Sequence, residues 1–137
     1  IGTYGVLSLI VSIGLRWLAL TTVLSIVGAW APLAVAVLSR AVMPVLMTTL
    51  PNARSSGLSQ SVGQPRAASV CLGVFLALMI ATSIIGLESI AVAAAMGVTT
   101  LAVALIARKK IGGQTGDVLG TGQSIAELTG LLILLVT

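Results

Sequence analysis

The chain has 137 residues, of which 58% are hydrophobic and 7% charged. Soluble domains carry about a quarter charged residues, and ten ionisable side chains cannot solvate a globule of this size, so a water-soluble monomer is excluded. The net charge of +4 reads as membrane topology, because four aromatic residues are too few for a base-stacking platform and no nucleic-acid partner is expected. There is no His, so His-ligated metals and Ser-His-Asp triads are impossible within the chain. Its one Cys, Cys71, forbids an internal disulfide and lies in an apolar run as a small packing residue. Carboxylate chemistry is limited to Glu88, Asp117 and Glu127.

A membrane-crossing helix takes about 20 residues, and the pattern predicts an all-α, polytopic transmembrane bundle of about five spans. In chain order these are residues 2–24, 32–50, 67–87, 89–107 and 118–136. The first run is apolar except for small polar residues and Arg16; Tyr4, Ser8, Ser12 and Arg16 recur every four residues. The break near Gly28 and Trp30 separates it from the second run, which contains Arg40 and a proline, Pro44, that should kink the helix. Burial of Arg40 there would demand an anionic partner. Pro51–Arg66 (PNARSSGLSQSVGQPR) is a polar linker, and Gly86-Leu87-Glu88 is a tight turn with Glu88 solvated. Residues 108–117 (RKKIGGQTGD) form a basic, glycine-rich loop before the last helix. Two basic loops, 51–66 and 107–117, thus fall on one face, which the positive-inside rule makes cytoplasmic. The chain begins Ile1-Gly2-Thr3-Tyr4, without an initiator Met, and is expected to be one membrane domain, the C-terminal part of something longer.

The second basic loop is the richest in chemistry. Arg108, Lys109 and Lys110 supply positive charge, and Gly112, Gly113 and Gly116 allow backbone N–H groups close to a ligand. A helix N-terminus follows, so the segment reads as a phosphate or pyrophosphate cradle. The competing reading is a positive-inside cluster and flexible loop, with Asp117 as an N-cap. On the last helix Asp117, Gly120, Thr121, Gln123, Ser124 and Glu127 share one face about 160° wide. That stripe should meet protein, water or substrate instead of lipid. Interhelical hydrogen bonding by Gln123, Ser124 and Glu127 is the alternative to a functional role.

RKKIGGQTGDVLGTGQSIAEL resembles the C-terminal signature of the cobalamin 5′-phosphate synthase (adenosylcobinamide-GDP ribazoletransferase) family, with Lys109, Lys110, Gly112, Gly113, Thr115, Gly116, Asp117, Leu119, Gly120 and Glu127 in place. The opening IGTYG, Arg40, and Leu50, Pro51, Ala53 and Arg54 resemble its earlier portions. The resemblance implies an integral enzyme of a prokaryotic cytoplasmic (inner) membrane. It would join adenosylcobinamide-GDP to α-ribazole or α-ribazole 5′-phosphate, releasing GMP, with Mg²⁺. It also implies that Arg108, Lys109, Lys110, Gly112, Gly113, Thr115, Gly116, Arg40 and Glu127 bind substrate. Asp117 would be catalytic and near the metal. The family's Asp-rich motif, the expected core of its Mg²⁺ site, lies upstream of IGTYG and so before this chain. SSGLS also stands where Gly-Leu-Gly is expected. A homo-oligomer is compatible with this reading. A CDP-alcohol phosphotransferase is disfavoured, because its signature needs several Asp residues and only one is present. The non-enzyme alternative is a small transporter or membrane scaffold.

Overall fold

Runs of Leu, Ile, Val and Ala interrupted only by small polar residues leave the backbone one economical way to satisfy its hydrogen bonds in an apolar layer, the α-helix. The computed structural model describes residues 2–53 and 63–137, and five helices lie among these described residues. They are α1 (Thr3–Ile26), α2 (Ala31–Thr49), α3 (Ala67–Ile85), α4 (Glu88–Ile111) and α5 (Gly116–Ile133). Ile1, Arg54 and the SSGLS segment lie outside the described residues. The first four helices are long and apolar enough to cross a membrane. The fifth is not in that class, because Asp117, Gln123 and Glu127 dilute its apolar content.

Short turns make successive helices antiparallel. Gly28, at φ +116°, turns the chain between α1 and α2, and Gly86, at φ +65°, between α3 and α4. The second turn is fastened by Ser89, whose Oγ lies 2.8 Å from Thr82 Oγ1 and donates to the Gly86 carbonyl at 2.7 Å. Glu88 is exposed in the first turn of α4, where the helix dipole favours a carboxylate. One face of the bundle therefore carries the start of α1, the end of α2, the start of α3 and the α4–α5 turn; the other carries the two short turns.

The core lies among α2, α4 and α5, with α3 packed on α2. Ala34, Val35, Leu46, Val92 and Ala126 are fully buried. Small residues let the backbones approach closely, as membrane helices require in the absence of a hydrophobic driving force between them. At Gly130 an added Cβ would overlap the Met96 methyl, and at Gly122 it would stand 2.6 Å from Leu46 Cδ1. Helix α1 leans on α5 and α2, burying only Ala19 and Val23, while Ile13, Trp17 and Leu18 are exposed as lipid-facing side chains are. Tyr4 and Trp30 stand exposed at opposite ends, where aromatic belts form.

Candidate functional site at the α4–α5 turn

Helix α4 runs four residues beyond the expected end and takes in Arg108, Lys109 and Lys110 as its last turn. The expected basic loop is thus mostly helix. Three cations at a helix C-terminus oppose the negative end of its dipole, which explains the extension. It also separates their directions, since successive helical residues point about 100° apart. Lys110 lines a cavity of about 650 Å³ between α4 and α5. Arg108 instead lines an apolar cavity of about 390 Å³ against α2 and α3, and Lys109 is exposed. The three do not converge as one clamp.

Gly112 ends α4 in the left-handed conformation, φ +79°, as helix-terminating glycines do. Gly113 is buried for a different reason. A Cβ there would overlap the Pro51 carbonyl oxygen and come within 3.2 Å of the Ala53 nitrogen. The chain closes on that carbonyl through Gln114, whose N–H donates to Pro51 O at 2.8 Å, while Ala53 N–H donates to Gln114 O at 2.9 Å. These bonds form a short parallel bridge between Asn52 and Gln114. The Gln114 side chain is buried, 1% exposed, and its Nε2 donates to Asn52 Oδ1 at 3.0 Å and to Met47 O at 3.4 Å. Two of the three glycines credited with ligand approach therefore serve the fold, Gly112 by its left-handed φ and Gly113 by its contact with Pro51, whereas at Gly116 neither constraint applies. Nothing in the local pattern marks Gln114, because its partners lie more than sixty residues away.

Thr115, not Asp117, caps α5. Its Oγ1 accepts from Val118 N–H at 3.4 Å, and its carbonyl accepts from Leu119 N–H at 3.1 Å. Asp117 consequently sits in the first turn with its carboxylate exposed and free of the capping role. It lines the 650 Å³ cavity together with Lys110, Thr115 and Thr121. The rest of that wall is apolar, including Val103, Ile106 and Val118, and Ala53 closes it at the membrane face. A cation, a carboxylate, two hydroxyls and a helix N-terminus thus share one concave surface at the end of the bundle. The chemistry it suits is recognition of an anion by Lys110 and the first N–H groups of α5. Asp117 is then the one acid at hand.

The polar stripe of α5 divides between neighbours. Asp117 and Thr121 face α4 across the cavity. Glu127 lies about 15 Å further along the helix, where its Oε2 is 3.4 Å from Arg16 Nη2. Gln123 Nε2 donates to the same oxygen at 2.9 Å. Arg16 is thereby engaged by α5 at the α1–α5 contact. Arg40 is exposed instead of buried, donates to the Ala36 carbonyl of its own helix at 3.1 Å, and lines a groove against α3. It is not brought to the α4–α5 turn and has no acidic partner among the described residues.

Among the described residues no three acidic, Cys or His side chains gather as a metal site. Mg²⁺ is commonly held by one or two carboxylates, completed by substrate phosphates and water. Asp117, exposed in a cavity that Lys110 also lines, fits that pattern as a single protein ligand.

A family model described as cobalamin-5-phosphate synthase matches residues 1–135. An adenosylcobinamide-GDP ribazoletransferase from Bradyrhizobium diazoefficiens is 38% identical over 138 residues, covering 97% of this chain and 52% of the relative. One from Rhizobium meliloti is 42% identical over 142 residues, covering 96% and 54%. A third, from Sinorhizobium sp, is 37% identical and covers all of this chain and 56% of its own length. The chain spans about half the length of these curated relatives. No solved structure matches it.

Proposed function

Because the chain belongs to the cobalamin-5-phosphate synthase family, we propose that it carries the phosphate-handling end of an adenosylcobinamide-GDP ribazoletransferase. The observation that carries the reading is the meeting of Lys110, Thr115 and Asp117 in one cavity at the N-terminus of α5. The substrates are adenosylcobinamide-GDP and α-ribazole or its 5′-phosphate. An oxygen of the ribazole forms a bond to the corrinoid-side phosphorus of the pyrophosphate, and the P–O bond to the GMP phosphate breaks.

Lys110 pairs with the pyrophosphate, and the first N–H groups of α5 donate to its non-bridging oxygens as charge grows there. Thr115 holds the helix start in place through its cap. Asp117 accepts a hydrogen bond from the attacking hydroxyl, orienting it and taking its proton as the new bond forms. Mg²⁺, when bound, would offset charge on the phosphoryl oxygens, and Asp117 is the residue of this chain that would hold it. Lys109 and Arg108 act more distantly, as a positive field drawing an anionic substrate to the membrane face. In the same reading the membrane is a bacterial inner membrane, with the 51–66 and 107–117 segments on the cytoplasmic side.

The test is release of GMP by the full-length enzyme in liposomes, with and without α-ribazole. The account predicts release that requires both substrates and Mg²⁺. A transporter would instead move solute across the vesicle without consuming adenosylcobinamide-GDP, and that result would replace this reading.

A further inference from the structure

Two opposite charges meet where α1 packs on α5, their side chains 40% and 25% exposed, and their geometry gives them a role of their own. Arg16 Nη2 is 3.4 Å from Glu127 Oε2 and donates to the Ser124 carbonyl at 3.3 Å. Gln123 Nε2 donates to the same Glu127 oxygen at 2.9 Å and to Ser39 Oγ at 3.4 Å. Ser39 is fully buried and passes its own hydrogen to the Ala36 carbonyl at 3.0 Å. One line of polar atoms therefore crosses from α1 through α5 to α2.

Its depth matters. Glu127 stands about 15 Å along α5 from Asp117, close to the middle of a hydrocarbon layer about 30 Å thick. A charge there is expensive when alone and tolerable when paired. Helix α1 has little else to hold it, since Ala19 and Val23 are its only buried residues. Apolar packing that thin does not fix the rotation or depth of a helix whose faces are almost uniformly apolar; one ion pair in an apolar layer does.

We infer that Arg16 and Glu127 are positioning residues, an intramembrane ion pair that docks α1 on α5 and so sets the place of the Gly2–Gly5 end beside the face that carries Asp117. This inference rests on the proposed reaction only for its activity readout. Glu127 binds no substrate in this account: its carboxylate already accepts from Gln123 and pairs with Arg16, and it is not among the residues that line the cavity. Arg16 holds the pair together at both ends, through the carboxylate and the Ser124 carbonyl.

The experiment uses the full-length enzyme in detergent and in liposomes, with Arg16→Gln, Glu127→Gln and the exchanged pair Arg16→Glu/Glu127→Arg. Each single variant should lower the thermal midpoint and reduce kcat by about tenfold or more, the scale of coupling between residues in contact. KM for adenosylcobinamide-GDP should stay within about twofold, because neither residue contributes ground-state binding. The exchanged pair should recover most of the lost midpoint and rate. A rise in KM confined to Glu127→Gln, with Arg16→Gln silent, would make Glu127 a substrate ligand and overturn the inference. An exchanged pair no better than either single variant would overturn it too. If the singles do not fold, recovery of folded protein by the exchange supports the pairing, and its failure sinks it. The midpoint and exchange results do not involve Asp117, so they stand or fall apart from the proposed chemistry.

Discussion

At the level of single residues, the α4–α5 turn assigns different work to residues that look alike in sequence. Gly113 touches the Pro51 carbonyl so closely that no side chain fits. Gly113→Ala should therefore force the two membrane-face segments apart, destabilising by about 1–3 kcal/mol as overpacking does, read as a lower thermal midpoint. Gly116→Ala meets nothing within 4 Å, and its midpoint should be unchanged. The lysines divide similarly. Lys110→Met removes the cavity cation and should raise KM for adenosylcobinamide-GDP about tenfold or more, the range for one charge-assisted phosphate contact. Lys109→Met, on the exposed side of the same turn, should change KM by less than about threefold at physiological salt, where exposed charges are screened. Equal effects from both lysines would restore the picture of a converging clamp. The sequence made GGQTGD conspicuous, and the cation, the threonine and the acid are legible there. What it hid is that Gly113 and Gln114 answer to Pro51 and Asn52, because close approach across sixty residues leaves no local signature.

At the level of elements, helix ends were the weak point of the sequence reading, and the reason is capping chemistry. Thr115 takes the N-cap that was offered to Asp117, which moves the start of α5 two residues earlier. The dipole carries α4 through the lysines to Gly112. The apolar spans themselves were readable almost throughout, since a continuous run of Leu, Ile, Val and Ala admits little besides a helix in an apolar layer. Helix α5 departs from that rule. Its polar residues do not make one functional stripe; Asp117 and Thr121 line the cavity, whereas Gln123 and Glu127 knit α1 and α2. Periodicity gives a face, and only the neighbours on either side of it give the meaning. Close α4–α5 packing depends on Gly130, where a side chain would overlap Met96. Gly130→Val should lower the thermal midpoint, and pairing it with Met96→Ala should recover part of the loss. Additive losses from the two changes would contradict that contact.

At the level of the whole molecule, the bundle gathers at one end the two segments that the charge pattern paired, and the Asn52–Gln114 bridge joins them physically. Arg40 shows a difference at this scale: its position in an apolar run predicts burial, whereas α3 leaves it on an open groove, bonded to its own helix. The fold also keeps the catalytic candidate apart from the Arg16–Glu127 ion pair, with Asp117 at the start of α5 and Glu127 about 15 Å further along it. The proposed orientation can be tested at this scale as well. In a Cys71→Ser background, a cysteine at Leu87 should react with a membrane-impermeant maleimide from outside intact cells, and one at Gly112 only after permeabilisation. The reverse pattern would invert the assigned orientation. The proposal on which most depends is that the cavity between α4 and α5 is where the phosphorus–oxygen bonds are exchanged, with Asp117 as the proton acceptor. Asp117→Asn in the full-length enzyme, assayed for GMP release in liposomes, tests it most directly. The account predicts a loss of about a hundredfold or more in kcat with adenosylcobinamide-GDP still bound through Lys110; GMP release at the wild-type rate would contradict it.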